Sequence, residues 1–209
     1  MKSKMEILSL LTRLREICID PNVIYENYHD TGIKMDTLLD VVKENSANNH
    51  KMLIFSSFKR VLDNVEEMLK KNNIDSYMID GSVKSMKRLS MVEDFNKDKT
   101  PCFLITLKAG GTGLNLVGAD TVIHLDIWWN PQVENQATDR AHRIGQTKNV
   151  TVTKIICKDT IEEHIIELQE KKKFLADNLI EDNNNVKAIS KLSESDIKKL
   201  LSFSNEEVE

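Results

Sequence analysis

Two arginines three residues apart, Arg140 and Arg143, are the first residues whose type and spacing suggest chemistry. They lie in the stretch 136–146, where Ala, Arg and Gln residues favour a helix. Residues i and i+3 of a helix share a face, so both guanidinium groups would project together. Because a guanidinium is permanently charged and offers two parallel donors, the pair suits a site that grips phosphate charge. An ordinary surface helix with an ion pair to Asp139 is the alternative interpretation.

A glycine-rich stretch, residues 109–116, is the second candidate site. Glycine has no Cβ and permits positive φ, so backbone amides here can approach an oxyanion closely. The members that could meet phosphate are Lys108, Gly110, Gly111, Thr112 and Gly113. A simple tight turn is the alternative. The stretch is a poor dinucleotide fingerprint, because Leu116 stands where the third glycine is required and a strand follows after a short connection.

Two common sites are missing from the sequence. No GxxxxGK[ST] motif occurs, so the chain has no P-loop lysine and no obvious way to bind ATP with Mg²⁺ alone. The three cysteines lie far apart without metal-ligand or disulfide spacing, at Cys18, Cys102 and Cys157. The acidic run Glu162-Glu163-His164 stands in an amphipathic helical pattern, so we expect a solvated helix face there. No metal site is predicted.

Composition limits the possible partners. The 209 residues are 40% hydrophobic, enough for one main domain, and the net charge of −4 provides no general attraction to nucleic acid. Five basic residues without an acidic one nevertheless form a candidate basic patch: Arg140, Arg143, Lys148, Lys154 and Lys158. No apolar run is long enough to span a bilayer and the first residues lack a signal-peptide pattern, so we expect a cytoplasmic protein.

Short apolar runs alternate with longer amphipathic ones, which predicts parallel strands joined by helices. The predicted strands are Met52–Ser56, Ser76–Ile79, Cys102–Leu107, Thr121–Asp126 and Val150–Cys157. Helices are predicted at residues 3–18, 34–44, 60–72, 84–96, 131–142 and 161–180, with a short terminal one after Ser193. The first of these helices has no local partner, and residues 108–120 join two strands without a long helix.

Ligands of open parallel sheets bind beyond the carboxyl ends of the strands. The segments at that edge are predicted to be 56–58, 80–82, 108–113 and 128–131. Trp128 and Trp129 leave a strand together and should face opposite sides. We expect one in the core and the other free to stack on a base, a sugar or a partner. His124, inside an apolar strand, is expected to be a hydrogen-bonded core residue.

In chain order, residues 51–58, 80–88, 108–116, 119–123, 129–132 and 136–146 closely resemble motifs IV, V and VI of the second RecA-like lobe of the Swi/Snf family of superfamily-two helicase-like ATPases. The most specific part is Asp139-Arg-Ala-His-Arg-Ile-Gly-Gln146, and the resemblance extends from about residue 10 to 180. It implies an α/β, RecA-like three-layer α/β/α fold with a mostly parallel sheet and flanking N- and C-terminal helices. The corresponding domains are an N-terminal helix and connecting loop (1–33), the RecA-like helicase C-terminal lobe (34–158), and a C-terminal brace helix with a linker and a short terminal helix (159–209).

The resemblance also implies a motor function. It indicates a double-stranded-DNA-stimulated ATPase that translocates along DNA and remodels protein–DNA complexes without separating strands. ATP with Mg²⁺ would be bound mainly by a first lobe that this chain lacks. Arg140 and Arg143 would be arginine fingers that reach the γ-phosphate, Gln136 and Asp139 would complete the nucleotide-binding helix, and Gly113 would couple it to DNA.

The same resemblance assigns DNA contacts. They are Ser56, Ser57, Asp80, Gly81, Lys108, Gly110, Gly111, Thr112, Asn115 and Trp129. Two positions depart from the family pattern, since Ser57 replaces a common Gln and Trp128 a common Asp or Thr. The helix from Ile161 would brace the first lobe, which would leave its apolar stripe without a partner here. The implied partners are double-stranded DNA and the N-terminal RecA-like lobe of the same protein, with no membrane.

Two other interpretations remain open. A freestanding, truncated lobe could bind DNA or protein without hydrolysis. An enzyme that uses a nucleotide cofactor could use the glycine-rich stretch, although its fingerprint is incomplete.

Overall fold

The computed structural model describes residues 4–25, 27–28, 30–110, 113–143 and 145–178. Within these residues the helices are Lys4–Ile19 (α1), Ile33–Ala47 (α2), Lys59–Lys71 (α3), Ser85–Lys97 (α4), Leu107–Gly110 (α5), Pro131–Thr138 (α6) and Ile161–Asn178 (α7), with a 3₁₀ turn at Pro21–Val23. The strands are Met52–Ser56 (β1), Ser76–Ile79 (β2), Cys102–Thr106 (β3), Thr121–His124 (β4) and Thr151–Lys154 (β5). The terminal helix predicted after Ser193 lies outside the described residues.

All five strands pair in parallel, in the order β2-β3-β1-β4-β5. Met52 at the start of β1 is in register with Cys102 of β3 on one side and Thr121 of β4 on the other. Because every strand points the same way, all carboxyl ends meet at one edge, as the sequence predicted. The parallel sheet of the predicted α/β class is confirmed.

Helices cover both faces of the sheet. Alternate residues of β1 belong to different cores: Met52 and Ile54 pack against α2 and α3, whereas Leu53 and Phe55 pack against α4, α5 and α6. Every residue of β1, β3 and β4 is buried, which explains why their sequences are continuous apolar runs instead of alternating ones. The predicted three layers are therefore present.

Helix α1 finds its partner in α7. Leu11 of α1 is buried in a cluster with Ile161, Ile165 and Leu168 of α7, and with Ile127 from the segment after β4. The expectation that the apolar stripe of α7 has no partner in this chain was wrong, and α1, predicted to lack a local partner, packs on this distant one. The two stripes satisfy each other, although about 150 residues separate them along the chain.

Most element boundaries agree with the prediction, and β1 and β2 have the predicted bounds. The later strands are shorter, because β3 gives way to the one-turn helix α5 at Leu107 and β4 ends at His124. The largest helical difference is α6, which ends four residues early, at Thr138. In the described part of the chain, no helix has the length and apolarity needed to cross a membrane.

Candidate nucleotide and nucleic-acid interface

Helix α6 begins at the carboxyl edge of the sheet and leads to the arginine pair. Asn130 caps it, since its side-chain oxygen accepts a hydrogen bond from the backbone N–H of Gln132 at 3.1 Å, and Pro131 occupies the first turn. Beyond Thr138 the chain turns tightly, so Arg140 and Arg143 do not share a helical face. That part of the prediction was wrong.

A contact from the glycine-rich segment ends the helix. The backbone carbonyl of Arg140, which a longer helix would use internally, accepts a hydrogen bond from the N–H of Leu116 at 3.0 Å. The backbone N–H groups of Arg140 and Ala141 donate to carbonyls only three residues earlier in the chain, which is the spacing of a 3₁₀ turn. The two motifs found in the sequence are therefore joined through their backbones.

Arg143 joins the same two motifs through its side chain. One terminal nitrogen lies 3.3 Å from the carbonyl oxygen of Gly113, and its Nε donates to the carbonyl of Asp139 at 3.2 Å. Gly113 has φ of +69°, in the left-handed region that favours glycine, so this turn can present its carbonyl there at little cost. The arginine pair and the glycine turn therefore form one site, within the helices that cover the α4, α5 and α6 face of the sheet.

Arg140 is more enclosed than Arg143. Only 8% of its surface is exposed, and its Nε is buried without a hydrogen-bond partner in the described structure. Burial lowers the pKa of this guanidinium, and the nearby charge of Arg143 lowers it further. Among the described residues no carboxylate forms a salt bridge with either arginine, so the surface ion pair with Asp139 is not formed.

Gln146 fastens the arginine segment to the glycine segment, a role that sequence reasoning missed. Its side-chain amide donates to the carbonyl oxygens of Ala119 at 2.7 Å, Val117 at 3.1 Å and Ala141 at 3.3 Å. The signal was present, since Gln146 closes the specific motif that begins at Asp139. The other predicted nucleotide contacts, Gln136 and Asp139, are both exposed.

The predicted DNA contacts differ in accessibility. Gly81, Lys108 and Asn115 are exposed, whereas Ser57 and Trp129 are half-buried. Ser56, Asp80 and Gly110 are buried. Gly111 and Thr112 lie outside the described residues.

The buried members of this set shape the turns. The hydroxyl of Ser56 accepts the N–H of Phe58 at 3.1 Å, and Asp80 accepts the N–H and hydroxyl of Ser82 at 2.7 and 2.6 Å. Those two hydrogen bonds hold the pKa of the Asp80 carboxyl below its usual range, although desolvation opposes them. A Cβ on Gly110 would stand 3.0 Å from the ring of Phe55, which explains the glycine.

His124 is a core residue, as expected. Its ring stacks on Phe55 with centroids 5.6 Å apart, and its Nε2 lies 3.3 Å from the hydroxyl oxygen of Thr138, the last residue of α6. Burial is the main cause that lowers the pKa of His124. Gly110, Phe55, His124 and Thr138 thus form a continuous line of contacts from the glycine segment to the arginine segment.

The two tryptophans do not face opposite sides. Both are half-buried, and their rings stack with centroids 4.0 Å apart. The expectation was wrong because β4 ends at His124, so the alternation of a strand no longer applies at Trp128. Trp129 packs against the cluster shared by α1 and α7, while Trp128 lines an open cavity.

That cavity of about 360 Å³ lies at the carboxyl edge of the sheet. Its lining is mostly apolar, with a lysine and an arginine: Thr12, Arg15, Ser57, Phe58, Leu107, Lys108, Trp128 and Val133. The chain leaves β1 toward α3 on one face, but leaves β3 and β4 toward helices on the other face. Such a divergence opens the crevice where parallel sheets usually bind ligands.

Arg15 forms one wall of this crevice, although no role for it was predicted. Its guanidinium donates to Asp126 at 2.6 Å and to the hydroxyl of Ser57 at 3.3 Å. The group is almost fully buried, and desolvation lowers its pKa although the carboxylate of Asp126 opposes that shift. An arginine in an amphipathic helix normally marks the solvent face, so nothing in its local pattern singled it out.

A family model described as the helicase conserved C-terminal domain matches residues 33–145, more than half of the chain. The chain belongs to this helicase family. The resemblance to the second lobe of Swi/Snf ATPases is confirmed by its relatives and by a solved structure.

Three relatives show which kinds of helicase this lobe resembles. The putative ATP-dependent helicase/translocase YwqA of Bacillus subtilis is 39% identical over 211 residues, covering 98% of this chain and 22% of that protein. An uncharacterized ATP-dependent helicase of Mycoplasma pneumoniae is 42% identical, covering 88% and 18%. The human chromatin-remodeling ATPase INO80 is 45% identical over 139 residues, covering 66% and 9%. The chain thus spans about a fifth of the length of these bacterial relatives.

A solved structure confirms the fold of the helicase lobe. The C-terminal part of the Fun30 ATPase domain superposes with a TM-score of 0.65 at 37% sequence identity, covering 78% of this chain and 54% of that one. Together with the five-stranded parallel sheet, this match confirms the RecA-like architecture predicted from the motifs.

The basic patch of the helicase lobe is smaller than its sequence suggested. Lys148 pairs with Asp120 at 2.7 Å, and Lys154 pairs with Glu134 at 2.5 Å. The sequence between Arg140 and Lys158 contains no acidic residue, but the fold brings carboxylates from other elements to two of its lysines. The arginine pair remains the concentrated positive charge of this segment.

Glu162 corrects another expectation about the helicase lobe. It is fully buried rather than part of a solvated helix face, and it pairs with Lys34 at 2.5 Å. Its carboxylate also accepts the N–H of Cys157 at 2.8 Å. The described residues contain no group of three His, Cys, Asp or Glu side chains arranged to hold a metal ion.

Proposed function

We propose that this chain is the C-terminal motor lobe of a double-stranded-DNA-stimulated ATPase that translocates along DNA and remodels protein–DNA complexes. The observation that carries the proposal is the arginine pair, in which the guanidinium of Arg143 donates to backbone carbonyls and the backbone of Arg140 is bonded to the glycine-rich segment. Arg140 and Arg143 act as arginine fingers on a nucleotide held mainly by an N-terminal RecA-like lobe of the same protein.

The electrostatics of the pair support this role. The charge of Arg143 lowers the pKa of Arg140, and the charge of Asp139 opposes that shift without forming a salt bridge. An anion from outside relieves the repulsion between the two arginines. The terminal phosphate of ATP is such an anion, and guanidinium matches its geometry.

The residues present fit the phosphate and not the metal ion. Two guanidinium groups can hold a phosphate that carries developing negative charge, whereas the described residues offer no cluster of carboxylates for Mg²⁺. Mg²⁺ and the rest of ATP are therefore assigned to the N-terminal lobe. The names of the relatives from Bacillus subtilis and Mycoplasma pneumoniae, which describe ATP-dependent helicases, support the use of ATP.

Exposed groups at the carboxyl edge support the DNA contacts. Gly81 and Lys108 are exposed and come just after β2 and β3, and Asn115 is exposed farther along the glycine-rich segment. A lysine and free backbone amides bind phosphates without reading sequence, which is what a translocating motor requires. Binding to duplex DNA should weaken as salt rises and should tolerate changes of sequence.

A chimera tests the assignment of the arginine fingers. This chain replaces the corresponding segment of the Bacillus subtilis relative, and ATP hydrolysis is measured with and without duplex DNA. Arg143→Ala should lower DNA-stimulated turnover by about 10³-fold or more while nucleotide affinity changes little, because an arginine finger acts on the transition state. The 209-residue chain alone should hydrolyse nothing measurable.

Lys70→Ala is the control, because it also removes one positive charge. Lys70 is exposed in the last turn of α3, at the opposite edge of the sheet, and its substitution should leave turnover unchanged. Full turnover in Arg143→Ala would refute the finger assignment. A folded chimera that binds DNA but never hydrolyses ATP would instead favour a binding module without ATPase activity.

A further inference from the structure

Arg15 reaches the carboxyl edge from outside the segment that matches the family model. It lies in α1, whereas the match begins at residue 33. Its guanidinium bonds to Asp126 beyond β4 and to Ser57 beyond β1, and Asp126 also accepts the backbone N–H of Ser57 at 2.8 Å. A single side chain thus joins two loops that leave the sheet toward opposite faces.

The same guanidinium contacts the aromatic rings at this edge. Its central carbon lies 4.6 Å from the ring centroid of Trp128, 5.2 Å from that of Trp129 and 5.1 Å from that of Phe58. These distances are within the range of cation–π attraction. A planar guanidinium can stack and donate two hydrogen bonds at once, whereas the compact ammonium of lysine cannot.

The backbone of Trp128 is held by other groups. Its N–H donates to Glu134 of α6 at 2.8 Å, and its carbonyl accepts from Gln169 of α7. Those contacts fix the backbone of the residue and do not involve its ring. The ring itself is in contact with Arg15 and with the stacked ring of Trp129.

We propose that Arg15 is a positioning residue that holds the indole of Trp128 against the cavity, where it contacts the sugars or bases of bound DNA. The proposal rests on the proposed DNA-dependent function. It shifts the aromatic DNA contact from Trp129, which packs toward α1 and α7, to Trp128, which lines the cavity beside Lys108. Helix α1 is then part of the DNA-binding edge and not only a cover.

A purely structural role for Arg15 makes different predictions. If Arg15 only neutralised Asp126, then lysine would serve nearly as well, and an uncharged pair of similar volume would also be tolerated. The informative variants are therefore Arg15→Lys, which keeps the charge, and the double variant Arg15→Met/Asp126→Asn, which removes the buried charges together. Both avoid leaving a buried carboxylate unpaired.

The two tryptophans of the chain provide a spectroscopic test on the intact 209-residue protein. Trp128 and Trp129 are its only tryptophans, and rings stacked 4.0 Å apart give a coupled circular-dichroism signal. Both Arg15 variants should lose most of that signal and shift tryptophan fluorescence to longer wavelength, while helix content stays unchanged. Arg13→Ala, an exposed arginine of the same helix, should leave both signals intact.

DNA binding by the same proteins tests the functional part. Arg15→Lys should weaken binding to duplex DNA about tenfold, the order expected for losing an aromatic contact. The slope of log affinity against log salt should not change, because no phosphate contact is removed. Lys108→Ala should instead reduce that slope by about one, and Arg13→Ala should match the wild type.

The outcomes separate this proposal from the proposed function. Unchanged tryptophan signals in Arg15→Lys overturn the positioning role, and changed signals with unchanged DNA affinity overturn the contact by Trp128. If the wild-type chain binds no DNA, then the proposed function fails at that step. The tryptophan spectra of the variants still decide whether Arg15 positions the ring.

Discussion

Arg15 and Arg140 are both buried arginines, but their surroundings differ. Arg15 lies 2.6 Å from the carboxylate of Asp126 and also bonds to Ser57. The Nε of each arginine is buried without a hydrogen-bond partner, but no salt bridge to Arg140 is present among the described residues. Burial and the charge of Arg143 lower the pKa of Arg140, although the charge of Asp139 opposes them. Arg15 therefore has a bonded counter-charge within the chain, whereas Arg140 has none in the part that the structure describes.

The buried ion pair of Lys34 and Glu162 resembles that of Arg15 and Asp126. Lys34 also donates to the carbonyl of Leu125 at 3.0 Å, and Glu162 also accepts the N–H of Cys157. Each charge has further hydrogen bonds, as a buried ion pair needs if it is to offset its desolvation. A bonded counter-charge indicates a structural pair, and a buried cation without one is a candidate for binding an anion.

Breaking a complete pair should have the largest effect on stability. Glu162→Ala leaves the ammonium of Lys34 buried without a counter-charge, so the free energy of unfolding should fall by ~3–5 kcal/mol. Urea unfolding of the 209-residue chain measures it. Glu167→Ala, on the exposed part of the same helix near Lys171, should cost less than ~0.5 kcal/mol. Equal losses in both variants would contradict the distinction.

Replacing each of the two buried arginines by methionine should change the free energy of unfolding in opposite directions. Arg15→Met strands the carboxylate of Asp126 and should lower the free energy of unfolding by ~3 kcal/mol. Arg140→Met removes an unsatisfied buried donor and should raise that free energy by ~1 kcal/mol. Urea unfolding in phosphate-free buffer compares them. A large loss in Arg140→Met would show that Arg140 has a stabilising partner after all.

The smallest expected effect concerns His124, a buried base without an acidic partner. Burial lowers its folded-state pKa below the ordinary value of 6.5, so the unfolded chain takes up a proton first as pH falls. The stability that neutral His124 contributes is present above pH 6.5 and is lost as pH falls through the folded pKa. Urea unfolding between pH 7 and pH 5 should show this decline, and His124→Gln should flatten it.

The sequence predicted what depends on local pattern. The bounds of β1 and β2 followed from short apolar runs, and the common edge of the glycine segment and α6 followed from parallel topology. The end of α6 could not be predicted, because the N–H of Leu116 that captures the carbonyl of Arg140 comes from 24 residues earlier in the chain.

Side-chain partners were also beyond local pattern. Glu162 stands next to polar residues in a helix and resembles a surface residue, but its partner Lys34 lies 128 residues away. Arg15 and Asp126 are separated by 111 residues. The nucleotide and DNA contacts came from resemblance to a family. The roles of these residues as nucleotide and DNA contacts stay predictions. Their accessibility differs, since some are exposed and others are buried.

The pairing of α1 with α7 has a consequence for synthesis on the ribosome. The apolar stripe of α1 is made about 150 residues before the helix that covers it, roughly 8–30 s earlier at ~5–20 residues per second. During that interval the nascent chain displays Leu11 and its neighbours to chaperones and to other nascent chains. A fragment that stops before Ile161 should therefore aggregate, even though it contains every strand of the sheet.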